Sequence, residues 1–156
     1  MCEIDQPALE HIAHHRHVGT QGISGYTSRK TILCIDDDDG VLGYYRALLE
    51  RRGYEVLTAV SARQGLEIAA ARAIAAVILD YHMPDMNGDE VAAEIKRLRP
   101  QVPIIMVSSD DAIPEQVLKA VDAFVSKYDT SSSLLPVIAR ICGEDPSALQ
   151  QTRNTA

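Results

Sequence analysis

Apolar residues in this chain fall into short runs that alternate with stretches of helical periodicity, and the alternation begins at Lys30. Residues 31–35 (TILCI) form an unbroken β-rich run, which predicts a strand buried on both faces. Over 40–52, Val41, Leu42, Tyr45, Leu48 and Leu49 recur at helical spacing. Arg51 and Arg52 stand at its end, where cations suit the helix dipole, and Gly53 stops it. Residues 54–60 (YEVLTAV) predict a second strand, and Ser61 is placed to cap a helix over 62–73. A third strand at 76–79 ends on Asp80. Asn87 or Gly88 opens the next helix, with Val91, Ala92, Ile95 and Leu98 on one face, acidic residues in its first turn and Pro100 beyond its end. Residues 103–107 predict a fourth strand, which runs into Ser108 and Ser109. A short helix is expected over 114–121, with Pro114 in its first turn, then a fifth strand over 123–126 leading to Lys127. The last helix is expected to start near Ser132 or Ser133 and to reach Cys142, because Pro136 lacks an N–H and suits only a first turn. Gly143 ends it.

Strand followed by helix, five times over, is the pattern of an α/β fold: a doubly wound, five-stranded parallel sheet with helices on both faces and right-handed crossovers. In such sheets a ligand sits beyond the carboxyl ends of the strands. The flanks do not share the pattern. Residues 1–29 contain His11, His14, His15 and His17 without sustained apolar periodicity. A metal site there would need a fuller ligand set, so the segment is read as a disordered leader. The domain is placed at 30–143, and 144–156 is read as a flexible polar tail.

Composition narrows the picture. A length of 156 residues fits one domain with a proper core, and with no Trp and one Phe that core is aliphatic. A formal net charge of −7 argues against non-specific nucleic-acid binding, which needs a basic face, and suits a protein that holds a cation. No apolar run reaches the length of a membrane span, and residues 1–30 lack a signal-peptide core, so a cytoplasmic location is expected. Cys2, Cys34 and Cys142 match neither a disulfide framework nor a zinc spacing, and Cys34 reads as a small core residue.

The strand ends carry the chemistry. Asp36 and Asp37 follow the first strand, Asp80 the third, Ser108 the fourth and Lys127 the fifth. The topology therefore gathers three carboxylates, a hydroxyl and an ammonium in one crevice. Clustered carboxylates cannot all stay ionised without compensation, and a hard divalent cation with oxygen ligands, Mg²⁺ or alternatively Mn²⁺, supplies it. A cation, a hydroxyl and an ammonium around one carboxylate make a phosphoryl-transfer site, with Asp80 as nucleophile. Each group also has a plainer reading. Asp38 and Asp39 read as a helix cap and solvated charge, Ser108 as a turn residue, and Phe124 as core packing.

The stretches ILCIDDDDG, LERRGYEV, AVILDYHMPDMNG, PIIMVSS and FVSK resemble the receiver domain of response regulators in two-component signalling. The resemblance covers residues 30–143 and implies a flavodoxin-like sheet of order 2-1-3-4-5. It implies that Asp80 is the phosphoacceptor. Asp36, Asp37, Asp80 and the backbone carbonyl of His82 would hold Mg²⁺, with Asp37 the direct ligand of the acidic pair. Ser108 and Lys127 would contact the phosphoryl group, and Ser108 and Phe124 would form the switch. His82 and Asp110 fall at positions that tune the lifetime of the phosphoryl group. The implied partners are a sensor histidine kinase or histidine phosphotransfer protein and a downstream protein, with no direct DNA binding, no membrane, and a monomer or weak dimer.

The chain departs from the family pattern where Tyr128 replaces the usual Pro after Lys127, which predicts a trans bond and a shifted Lys127 loop. The span from Ser108 to Lys127 is also short, so a short or displaced fourth helix is expected. With thirteen residues after Gly143, a stand-alone receiver is expected, acting as a phosphoacceptor rather than an enzyme. One rival reading is a haloacid-dehalogenase-like phosphatase using Asp37 and Asp39, since residues 37–41 fit D-x-D-G-[TV]. Another is a receiver-like binding module that is never phosphorylated.

Overall fold

The computed structural model describes residues 28–145. Residues 1–27 of the leader, with its histidines, and residues 146–156 of the tail lie outside the described residues. Five strands form one parallel sheet: β1 (Thr31–Ile35), β2 (Glu55–Ala59), β3 (Ala76–Asp80), β4 (Ile104–Ser108) and β5 (Ala123–Ser126). Their order is β2-β1-β3-β4-β5, as expected. Five helices connect and flank them: α1 (Asp39–Glu50), α2 (Ala62–Ala71), α3 (Gly88–Leu98), α4 (Glu115–Ala120) and α5 (Thr130–Ile141).

The unbroken apolar strands split by alternation into two cores. Leu33, Ile35, Val77, Leu79, Ile104 and Met106 face one side, with Ala69, Val91, Ala92, Ile95 and Val117 from α2, α3 and α4. Ile32, Cys34, Ile78, Ile105, Val107 and Val125 face the other, with Leu42, Tyr45 and Leu49 of α1 and Leu134 and Ile138 of α5. Period-two geometry sends neighbouring side chains to opposite faces, so a run with no polar residue is what a sheet covered on both sides requires. Cys34 is fully buried, and burial pushes its thiol up to about 12, which makes it an inert core residue.

Two expectations about helix starts are corrected. The helix α5 begins at Thr130, not at Ser132 or Ser133, and Pro136 therefore lies in its interior. A 3-10 turn, Lys127–Asp129, follows β5 directly and feeds the helix. Thr130 Oγ1 donates to the Lys127 carbonyl (3.2 Å) and Ser132 Oγ to that of Asp129 (3.2 Å), so these hydroxyls bond backwards instead of capping a later start. Pro114 is the residue before α4, in extended backbone (ψ 139), not a member of its first turn.

The tail boundary also shifts. At the end of α5, Glu144 N–H donates to the Ala139 carbonyl (2.8 Å) and Gly143 N–H to that of Arg140 (3.2 Å), with Gly143 at φ +69. This is a Schellman closure, which needs a left-handed residue at that point. The Glu144 carboxylate then accepts from Tyr54 Oη (2.6 Å) and pairs with Lys30 (3.2 Å). Glu144 thus belongs to the folded domain. Among the described residues, no helix is long and apolar enough to cross a membrane.

Candidate functional site

The carboxyl edge of the sheet holds the site. β1 ends at Ile35 and delivers Asp36 and Asp37; β3 ends on Asp80 itself. These three residues each offer a carboxylate oxygen within 4.8 Å of the others. Asp36 is 0% and Asp80 3% exposed, while Asp37 is open to solvent. The 3-10 turn after β5 swings Lys127 inward. Its ammonium stands 2.8 Å from Asp36 Oδ2 and 3.1 Å from Asp80 Oδ1. All described peptide bonds are trans, the Lys127–Tyr128 bond included, and Lys127 reaches the acidic pair regardless.

The electrostatics follow from the crowding. Burial first, then the charge of Asp36, pushes the Asp80 carboxyl above the usual carboxylate range; Lys127 and the His82 N–H pull the other way and lose. Burial alone would lower the Lys127 ammonium, but its hydrogen bond to Asp36 and the charge of Asp80 hold it above its ordinary value. Three carboxylates against one ammonium leave an excess of negative charge in the cleft. That donor set fits a hard divalent cation. Both oxygens of Asp36 are engaged, Oδ1 by the Asp38 N–H (2.9 Å) and Oδ2 by Lys127. The group that could hold the cation is Asp36, Asp37 and Asp80.

The local sequence explains the shape. Asp38 caps α1, accepting from the N–H groups of Gly40 (2.7 Å) and Val41 (3.2 Å), and Asp39 lies in the first turn. The last two members of the acidic run are thus spent on the helix. After Asp80 the chain turns back on itself, closed by the Gly88 N–H on the Tyr81 carbonyl (2.8 Å). A Cβ at Gly88 would stand 2.5 Å from the Asp80 carbonyl oxygen, so only glycine fits there.

Ser108 ends β4, 1% exposed, and its Oγ accepts from the Asp110 N–H (2.9 Å). Phe124 is half-buried on β5 and packs against the core that faces α2, α3 and α4, so packing alone accounts for its place. His82 and Asp110 meet across the mouth of the cleft, Nε2 to Oδ2 at 3.4 Å. The Asp110 carboxyl is held below its usual range, first by the Ala112 N–H and then by His82. Asp39 lies exposed in the first turn of α1, outside the group formed by Asp36, Asp37 and Asp80.

Two features escaped the sequence. A cavity of about 370 Å³ opens beside Lys127, lined by Tyr44, Tyr45 and Thr130 among others. Asp85, five residues after Asp80, accepts from the N–H groups of Ala62 (3.3 Å) and Arg63 (3.4 Å). Its acidic character was legible, but nothing local in the chain couples positions 85 and 62.

Comparison with known proteins agrees with this geometry. Residues 32–138 match the family model described as the response regulator receiver domain. The chain is 33% identical over 110 residues to the transcriptional regulatory protein GlrR of Escherichia coli, covering 69% of this chain and 25% of that protein. It is 30% identical over 89 residues to the alkaline phosphatase synthesis transcriptional regulatory protein PhoP of Bacillus subtilis, covering 57% and 37%. It thus spans about a quarter to two fifths of the length of these relatives. Among solved structures, it resembles the response regulator TrrA of Thermotoga maritima in complex with Mg(2+)-BeF, with TM-score 0.68 and 27% identity, covering 72% of this chain and 98% of that one. A CheY-like receiver domain protein of Methanospirillum hungatei gives TM-score 0.65 and 30% identity, covering 73% and 97%. With the flavodoxin-like strand order, the acidic cluster and the family match in agreement, this chain belongs to the response regulator receiver domain family of two-component systems.

Proposed function

We propose that Asp80 accepts a phosphoryl group from the phosphohistidine of a sensor histidine kinase or histidine phosphotransfer protein. The observation that carries this reading is the gathering of Asp36, Asp37 and Asp80 within 4.8 Å, with Lys127 at 3.1 Å from Asp80. A carboxylate oxygen of Asp80 attacks phosphorus, the P–N bond breaks, and the imidazole leaves with the electron pair. Lys127 neutralises charge on the phosphoryl oxygens, and the His82 N–H steadies the Asp80 carboxylate. Asp36, Asp37, Asp80 and the His82 carbonyl would hold Mg²⁺, or Mn²⁺ in its place, which supplies charge stabilisation and alignment.

Ser108 gives up its hydrogen bond to the Asp110 N–H as it closes on the phosphoryl group, and Phe124 follows inward. The packing of Phe124 against the α4 side of the sheet is what carries that change outward to a protein-binding surface. His82 and Asp110, facing each other across the cleft, govern how long the phosphoryl group survives against water. Turnover is limited to self-dephosphorylation, so the protein is a signalling phosphoacceptor and not a separate enzyme. The tyrosine-lined cavity beside Lys127, with Tyr128 77% exposed next to it in the chain, suits a protein donor. The reading includes a cytoplasmic protein, monomeric or weakly dimeric, whose described domain signals through a downstream protein without binding DNA.

Incubation with acetyl phosphate and Mg²⁺ tests the reading by intact mass. A gain of one phosphoryl group is expected in the wild type and none in Asp80→Asn. Labelling that persists in excess chelator sinks the metal assignment, and no labelling of the wild type sinks the acceptor assignment.

A further inference from the structure

The loop after Asp80 is braced from outside by a contact whose position matters more than its strength. Asp85 grips the start of α2 with both oxygens: Oδ1 accepts from Ala62 N–H (3.3 Å) and Oδ2 from Arg63 N–H (3.4 Å). Ser61 Oγ accepts from Gln64 N–H (3.2 Å), and the regular ladder begins with Gly65 N–H on the Ser61 carbonyl (3.0 Å). The first-turn donors of α2 are therefore shared between its own cap and a carboxylate from another loop. A negative charge at that end is also favoured by the helix dipole.

What α2 offers in return is a fixed reference. It lies so close to β1 that a Cβ at Gly65 would stand 2.4 Å from Ile35 Cδ1. Ile35 is the residue immediately before Asp36 and Asp37. The Asp85 contact thus ties the loop that follows Asp80 and carries His82 to the helix seated on the strand that leads into the acidic pair. Met83, 6% exposed and set in the same core as Ala62 and Ile35, anchors the loop between His82 and Asp85.

We infer that Asp85 is a positioning residue for the cation site: by pinning the 81–87 loop to α2, it sets the His82 carbonyl relative to Asp36 and Asp37. This rests on the receiver reading proposed above, and it assigns a role to a residue that reading does not use.

The test is Mg²⁺ affinity by isothermal titration calorimetry, with thermal unfolding in chelator run alongside. Asp85→Ala is expected to weaken Mg²⁺ binding by about tenfold, the scale seen when the support of a metal ligand is lost. Asp85→Asn keeps one of the two acceptor oxygens that the contact uses, so it is expected to recover part of that loss and to bind between Asp85→Ala and the wild type. Ser61→Ala removes the other α2 cap without touching the loop; it should lower the unfolding temperature and leave Mg²⁺ affinity at the wild-type value. Three results overturn the inference. One is wild-type affinity in Asp85→Ala. Another is an Asp85→Asn variant as weak as Asp85→Ala, which would mean that the carboxylate acts by charge and not by position. The third is an equal loss of affinity in Ser61→Ala, which would mean that general loosening of α2 is responsible. If Asp85→Ala does not fold, the comparison of Asp85→Asn with Ser61→Ala still decides, since only the former should bind more weakly. A wild type that binds no Mg²⁺ removes the proposed Mg²⁺-dependent phosphoacceptor role and this inference together.

Discussion

Asp80 pays for its reactivity in stability. Its carboxyl is buried beside Asp36 and held above the ordinary range, so the folded protein keeps that proton to higher pH than the unfolded chain does. In that window unfolding releases a proton, and stability falls as pH rises through it. Asp80→Asn removes the penalty. In chelator at neutral pH, the variant is expected to melt roughly 2–6 °C above the wild type. The advantage should shrink as pH falls toward about 4, where the unfolded-state carboxyl also takes up its proton. A variant that melts lower at neutral pH would contradict the direction assigned to Asp80. Gly88 sits against the backbone carbonyl of the same residue. Gly88→Ala drives a Cβ to 2.5 Å from the Asp80 oxygen, where backbone and not a flexible side chain must yield. A loss of about 2 kcal/mol in chemical denaturation is expected, with slowed phosphoryl uptake.

At the scale of elements, α5 carries its own flaw. Pro136 is exposed in the helix interior and cannot donate to the carbonyl of Ser132. Pro136→Ala is expected to stabilise the domain by about 1–2 kcal/mol, the helix gain less the freedom returned to the unfolded chain. No shift, or a loss, in the denaturation midpoint would show that packing has already absorbed the defect. This helix also shows where the sequence misleads. Its Ser/Thr run looks like a cap, yet the 3-10 turn after Ser126 starts the coil sooner and turns the same hydroxyls into backward donors. Strands were legible because two-sided burial leaves an unambiguous apolar signature, and β1 and β5 fall where their runs predict. Asp36, Asp37, Asp80, Ser108 and Lys127 were legible because each follows such a run. The Asp85 contact was not, and neither was the node in which Asp122 takes Lys96 Nζ (2.7 Å) and Ile104 N–H (2.8 Å). Those pairings arise only once crossovers bring distant loops side by side, and no local pattern records them.

For the whole molecule, the cation couples to folding. A ligand that binds only the assembled cleft stabilises it by mass action, so each tenfold rise of free Mg²⁺ above its dissociation constant should add about 1.4 kcal/mol. Thermal unfolding across a Mg²⁺ series checks this, and in Asp80→Asn the same rise should begin only at a higher Mg²⁺ concentration. A flat series in the wild type would mean that the cluster does not hold the ion.

The edge strand β5 gives this coupling a further side. It is four residues long, pairs with β4 alone, and leads straight into Lys127, the ammonium found against both buried carboxylates. Edge elements open before a domain unfolds as a whole. Each time β5 frays, Asp36 and Asp80 lose their counter-ion while the rest of the sheet stands, and the cleft becomes a cage of like charges. The share of molecules ready to react at any moment is then set by a local opening equilibrium at the rim of the sheet, not by global stability. Mg²⁺ takes over the charge that Lys127 neutralises, so added Mg²⁺ should slow amide exchange in β1, which delivers two of the clustered carboxylates, more than in β5, and a substitution that loosens β5 alone should cost reactivity before it costs melting temperature.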